Sequence, residues 1–255
     1  MTPQPISNPV PESWTATPGL LKSKTILVTG AGDGIGATAA QKFAEHGATV
    51  ILLGRTQEKL EKVYDQILVA GHPEPFIYPM DLMSSDFEDY QKLAGAIESD
   101  IGQLDGVLLN AAVLGQKTAI PSIKTQAWMD CMQINLHSNF LMTKAVMPLM
   151  EGSKAGRLLF TSSSVGRVGR AYWGAYAVSK FGVEGLMQVL ADETENVSSI
   201  RINSINPGAT RTNMRSTAYP GENPKTLKTP DDLMDLYLYL MSDESQGIHG
   251  QMIDY

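Results

Sequence analysis

Cysteine is nearly absent: Cys131 is the only one in 255 residues. One thiol builds neither a disulfide framework nor a cysteine-based metal site, and it suits a reducing, cytoplasmic compartment. The thiol itself reads as a small buried apolar residue. Histidine is scarce as well. His46, His72, His137 and His249 are scattered without ligand spacing, so no metal site is expected. No run of 18 apolar residues occurs, which leaves no segment to span a membrane as a helix. Positive charge is in deficit, and a formal net charge of −7 argues against nucleic-acid or anionic-membrane partners. The first 18 residues carry five prolines but no apolar run or basic cluster, unlike a signal peptide. They are expected to form an extended arm, disordered or draped over a neighbour, ahead of one domain over 19–255.

What is present is alternation. Thr25–Thr29 is an unbroken apolar run bounded by glycine, as in a strand buried on both faces. A helix is predicted over 35–46, ended by Gly47, then a buried strand over 48–53 and a helix over Gln57–Val69. The third strand, 76–80, contains Pro79, where its pairing should end. Further on, strands are predicted at Gly106–Leu109, Arg157–Thr161, 200–205 and 251–254. Between them lie helices over 86–99, 127–150, 175–196 and 231–241. Strands alternating with helices imply right-handed crossovers and a parallel sheet covered on both faces. The expectation is one doubly wound α/β domain with about seven strands.

Between the first strand and first helix lies Thr29-Gly30-Ala31-Gly32-Asp33-Gly34-Ile35-Gly36. Glycine lets backbone approach a ligand closely, and amides at a helix start face a pyrophosphate with the helix dipole behind them. A glycine cluster alone is often only a tight turn. Placed after a buried strand and opening a helix, it points to a dinucleotide. Tyr176 and Lys180 are four apart on a predicted helix and so share one face. A neighbouring ammonium favours phenolate, and together the two residues make a proton donor or acceptor. Taken alone, such a pair is more often a core-edge aromatic beside a solvated lysine.

The spacing Gly30, Gly34, Gly36 resembles the short-chain dehydrogenase/reductase family in its compact branch, and the likeness runs from Lys24 to Tyr255. It implies a Rossmann fold and nicotinamide-dependent interconversion of a carbonyl and a secondary alcohol. Asp81, followed by Leu82, stands where the family binds adenine. Asn110-Ala111-Ala112 resembles the end of its N-N-A-G motif, with Leu109 and Ala112 replacing the first Asn and last Gly. Asn135 stands where the family keeps a structural and catalytic asparagine. Ser163, Tyr176 and Lys180 match its S…Y-x-x-x-K, the serine 13 residues before the tyrosine. Asn206-Pro207-Gly208 closes the sixth strand, Thr212 falls where the family holds the nicotinamide carboxamide, and Thr210 is a further cofactor-binding candidate. The block from Phe160 to Lys180 also resembles the bacterial YciK-like oxidoreductase subgroup.

These positions carry roles. Tyr176 is to donate a proton to the forming alkoxide, Ser163 to hold the substrate oxygen, Lys180 to hold ribose hydroxyls, and Asn135 to relay protons through a water. The choice of Ser163 over Ser162 and Ser164 rests on spacing. At the end of the second strand, an acidic residue would bind the ribose diol of NAD; Gly54 stands there instead, followed by Arg55. That predicts NADP(H) over NAD(H), although Asp33 sits where many NADP relatives have a second cation. Residues 211–229 are expected to form a short, mobile lid over an open site. Arg167, Arg170, Arg211 and Arg215 either flank the site for an anionic substrate or are simply solvated or paired with acids. The activity expected is reduction of a ketone or a 3-oxoacyl group. Relatives pair through the two long helices, whose Trp128, Met132, Phe181 and Met187 suit a homodimer or homotetramer or plain core packing. Two rivals are an epimerase or dehydratase of the family's longer branch, and a non-enzymatic dinucleotide sensor or scaffold.

Overall fold

The computed structural model describes residues 4–255. Eight strands form one sheet in the order β1-β8-β7-β6-β5-β2-β3-β4, every pairing parallel. They are β1 (Ile6–Ser7), β2 (Thr25–Thr29), β3 (Thr49–Gly54), β4 (Phe76–Pro79), β5 (Gly106–Leu109), β6 (Arg157–Thr161), β7 (Arg201–Asn206) and β8 (Met252–Asp254). The helices are α1 (Gly34–Glu45), α2 (Gln57–Val69), α3 (Phe87–Asp100), α4 (Thr125–Met132), α5 (Ser138–Glu151), α6 (Gly174–Thr194), α7 (Asn213–Ala218) and α8 (Met234–Met241).

Alternate strand residues feed two cores. Ile26, Val28, Val50, Leu52, Leu108 and Leu159 meet Phe43 of α1, Leu60 of α2 and Tyr237 of α8. Leu27, Ile51, Leu53, Val107, Leu158 and Phe160 face the other way, onto Tyr90 of α3, Met142 of α5 and Val183 of α6. A side chain on each face explains why these strands read as unbroken apolar runs. Pro79 ends β4, the edge strand, paired with Gly54, so its missing N–H costs the ladder little.

Three expectations need correction. The sheet has eight strands instead of about seven, because the arm supplies one: Ile6 pairs with Ile253 and Ser7 with Asp254. The described part of the arm lies on its own chain, with Trp14 edge-on to Tyr239 at 5.4 Å and its indole donating to Glu244; residues 1–3 lie outside the described residues. The helix expected over 127–150 is two helices joined by a π turn at Gln133–His137. The lid holds a real helix, α7, capped by Thr212, whose Oγ1 accepts from the Arg215 amide at 3.2 Å.

The chain leaves β2 toward β3 and β4 on one side, and β5 leads to β6, β7 and β8 on the other. The crevice at this reversal, above the C-terminal ends of β2 and β5, is where doubly wound sheets bind ligands. Thr29 holds it together. Its Oγ1 accepts from the amides of Asn110 at 2.9 Å and Ala111 at 3.1 Å, joining the ends of the two strands.

Candidate active site

A cavity of about 460 Å³ occupies that crevice. Its lining includes Gly30, Asp33, Gly34, Ile35, Arg55, Asp81, Leu82, Asn110, Ala111 and Ala112. Ser163, Tyr176, Lys180, Pro207, Gly208, Thr210 and Thr212 also line it. Strand ends and loops separated by up to about 180 residues therefore converge on one space, as the motif spacing implied.

The glycine loop is a close-packed cradle. A Cβ on Gly36 would lie 2.3 Å from the Gly30 carbonyl and 2.7 Å from the Asn110 amide nitrogen. Neither Gly36 nor Gly32 lines the cavity; Gly36 lets α1 start directly against the end of β5, and Gly32 lies against Lys59 of α2. Among the described residues no side chain caps α1, so its first amides are left for a ligand.

Asp33 presents no bare charge to the cavity. Its carboxylate pairs with the Lys59 ammonium at 3.0 Å and accepts from the Asn213 amide at 2.9 Å. Partial burial pulls its pKa upward, but these two partners hold it below the ordinary value. Lys59 was missed by sequence reading, although it lies one helical turn past Arg55 in Arg55-Thr56-Gln57-Glu58-Lys59.

At the other end, Ser163, Tyr176 and Lys180 come together. The turn after Ser163 packs so tightly on α6 that a Cβ on Gly166 would fall 2.8 Å from the Lys180 Cβ. This close approach sets Ser163 facing Tyr176. Burial pushes the Tyr176 phenol up to about 12, while the Ser163 side chain pulls the other way. Lys180 is buried and its ammonium donates to the Thr161 carbonyl at 2.7 Å, 5.7 Å from the Tyr176 ring centre. Burial lowers its pKa to about 8, opposed by Cys131 and Glu184. Position separates one of the three serines from the other two, and of those two Ser163 is the one whose side chain acts on the Tyr176 phenol. Ser164 is exposed outside the cavity, and Ser162 lines it with a buried hydroxyl that has no partner among the described residues.

Asn135 lies in the π turn, fully buried and outside the cavity lining. Its Oδ1 accepts from the Val113 amide at 2.8 Å, and its Nδ2 donates to the Val113 carbonyl and Ser179 Oγ, both at 3.0 Å. The side chain thus ties the loop after β5 to α6.

Two of the four arginines are engaged elsewhere. Arg167 pairs with Glu184 at 3.2 Å and with Asp254, joining α6 to β8. Arg215 grips both oxygens of Glu222 at 2.6 Å. Arg170 and Arg211 are exposed. His46 contacts the Thr17 carbonyl, and His249 bonds the backbone of Ile202 and Ala191. Cys131 is buried, which raises its thiol pKa. No cluster of metal-ligating side chains occurs among the described residues, and none of their helices is long and apolar enough to cross a membrane.

Comparison with known proteins agrees with this geometry. The short chain dehydrogenase family model matches residues 24–223. Uncharacterized oxidoreductase YciK of Escherichia coli (strain K12) is 51% identical over 235 residues, covering 92% of each chain. A short chain dehydrogenase of Shigella flexneri 2a complexed with NADP superposes with a TM-score of 0.91 at 50% identity, over 93% of this chain and 99% of that one. Another, from Escherichia coli CFT073 complexed with NADPH, gives 0.90 at 51% identity, over 92% and 98%.

Proposed function

Since the chain belongs to the short chain dehydrogenase family, we propose that it reduces a ketone to a secondary alcohol with NADPH as the preferred cofactor. The observation that carries this reading is one continuous cavity with Arg55 at one end and Ser163, Tyr176 and Lys180 at the other.

The residues fit the dinucleotide. The uncapped start of α1, with Gly30, Gly34 and Ile35 lining the cavity beside it, suits a pyrophosphate. Arg55 would take the ribose phosphate, with Lys59 nearby neutralising Asp33. Asp81 would bind adenine, Asn110, Ala111 and Ala112 form the floor, and Pro207 to Thr212 would meet the carboxamide. Two structural neighbours are complexes with NADP and NADPH, which supports the same preference.

The bound nicotinamide supplies a hydride to the carbonyl carbon. Tyr176 keeps its proton at neutral pH, because burial raises its pKa to about 12, and so has one to donate to the carbonyl oxygen. Ser163 donates a hydrogen bond to that oxygen as charge develops. Lys180 steadies the phenolate left behind and would hold the ribose hydroxyls. Asn135 is a positioning residue, holding Val113 and the start of the substrate side. In this reading the enzyme works in the cytoplasm as a homodimer or homotetramer. Phe140 of α5 and Val178, Phe181 and Val189 of α6 are exposed apolar residues available for pairing, whereas Met187 belongs to the core.

The test is fluorescence titration with NADPH and NADH, followed by turnover of a ketone panel. Tighter NADPH binding is expected, with Tyr176→Phe losing about 100-fold or more of turnover while cofactor affinity holds. Failure to bind either cofactor in any redox state would overturn the reading in favour of a scaffold.

A further inference from the structure

The substrate end of the cavity is apolar. Val113, Leu114, Ile134, Trp173, Met214 and Ala218 line it. Four of them, Val113, Leu114, Trp173 and Met214, are half-buried and pack on the cluster that contains Tyr176. Trp173 stands 5.7 Å from the Tyr176 ring. These side chains leave partly open apolar surface around the proton donor, which a ligand would cover.

The charged groups near this end are each engaged within the protein, some by acids and some by neutral partners. Asp33, Arg55 and Asp81 line the dinucleotide end. Of the charged groups nearer Tyr176, Lys180 is buried and donates to the Thr161 carbonyl. Arg215 makes both of its short bonds to Glu222 and stacks on Tyr219 at 3.9 Å. Lys117, beside the cavity, donates to the Ala218 carbonyl at 2.5 Å and stands over the rings of Trp173 and Tyr219 at 4.6 and 4.3 Å. Arg167 is turned away to Glu184 and Asp254.

We infer that the substrate is an uncharged, largely apolar ketone and that a free keto acid is rejected. This rests on the reductase reading above. A carboxylate entering this end loses its water, and of the cations around it Lys117 and Lys180 are held on backbone carbonyls. The charge of Arg215 is already balanced by its two bonds to Glu222. An apolar ketone, in contrast, covers the half-buried side chains around Tyr176 and asks for hydrogen bonds only at its carbonyl oxygen. The arrangement of Lys117, Trp173 and Tyr219 also ties the end of α7 to the start of α6, so the apolar wall is held in place without any help from ligand charge.

The matched probes are methyl 4-acetylbenzoate and 4-acetylbenzoate, one neutral and one anionic around the same ring. Calorimetry on the NADP-loaded enzyme measures binding, and NADPH oxidation measures turnover. The ester is expected to bind and react at least about 10-fold better, a difference equivalent to one lost charge-compensating contact. Glu222→Gln, which releases Arg215, should narrow that ratio. Equal or better handling of the acid by the unaltered enzyme would overturn the inference, as would an ester that fails to bind. An ester that binds preferentially without being reduced would support the apolar ligand class and overturn the reductase reading.

Discussion

Burial acts on Tyr176 and Lys180 in opposite directions and makes both favour the neutral form. The phenol rises to about 12 and the ammonium falls to about 8. For the lysine the consequence is a pH-dependent stability. Its folded pKa lies below its unfolded value of 10.5, so between about 8 and 10.5 the unfolded chain binds more protons. Stability contributed by this group therefore rises with pH across that window and is least below it. Lys180→Met lacks this dependence. Relative to the unaltered protein, the melting temperature of the variant should be highest below pH 8, and the difference should shrink toward pH 10.5. Melting curves at several pH values check this directly. A constant difference would mean that Lys180 titrates as it does in water. At the same scale, Asn135 has a structural part that the sequence could not locate: all its side-chain bonds go to Val113, Cys131 and Ser179.

At the scale of elements, the proposed preference for NADPH rests on the end of β3 and the start of α2 together. Gly54 removes the carboxylate that would bind a ribose diol, and Arg55 follows it. Lys59 then reaches from the first turn of α2 to Asp33 at the start of α1. Arg55→Ala should weaken NADPH binding about 10- to 100-fold and leave NADH nearly unchanged, the effect of one charge-assisted hydrogen bond. Lys59→Gln should cost less, under about 10-fold, because that ammonium is more than half exposed and screened. Parallel fluorescence titrations with the two cofactors read both effects. Equal losses for NADPH and NADH would place these side chains outside the phosphate site. The break between α4 and α5 belongs to this scale too. An apolar periodicity continues through 127–150, so nothing in the pattern marks the π turn that swings Asn135 inward.

At the scale of the whole molecule, the arm closes one edge of the sheet. β1 covers β8, and Trp14 packs on Tyr239 of α8, with Val10 and Ala16 against the same core. An uncovered β8 would present unpaired backbone groups to other chains. Trp14→Ala should lower stability by about 2 kcal/mol, from the apolar surface returned to water. In a chain of this size that is roughly 4–8 °C in melting temperature. Removal of residues 1–18 should add self-association, visible as rising light scattering at concentrations where the full chain is stable. No change in either measurement would show that the arm does not seal the edge.

The sequence by itself determined the alternation, the parallel sheet, the glycine cradle and the serine, tyrosine and lysine, because these depend on local periods and fixed spacings. Thr25–Thr29 had to be a doubly buried strand, and four residues on a helix had to bring Tyr176 and Lys180 to one face. Tertiary structure alone decided what depends on partners distant in the chain. Two residues, Ile6 and Ser7, are too few to show a strand period, and only the open edge of β8 makes them one. Lys59 is an ordinary helix lysine until folding sets it against Asp33. Along the chain Arg167 and Arg215 suit an anionic substrate or an acidic partner equally, and only folding brings Glu184, Asp254 and Glu222 beside them. A charge can be counted along a chain, but whether it is paired depends on contacts between segments far apart in sequence.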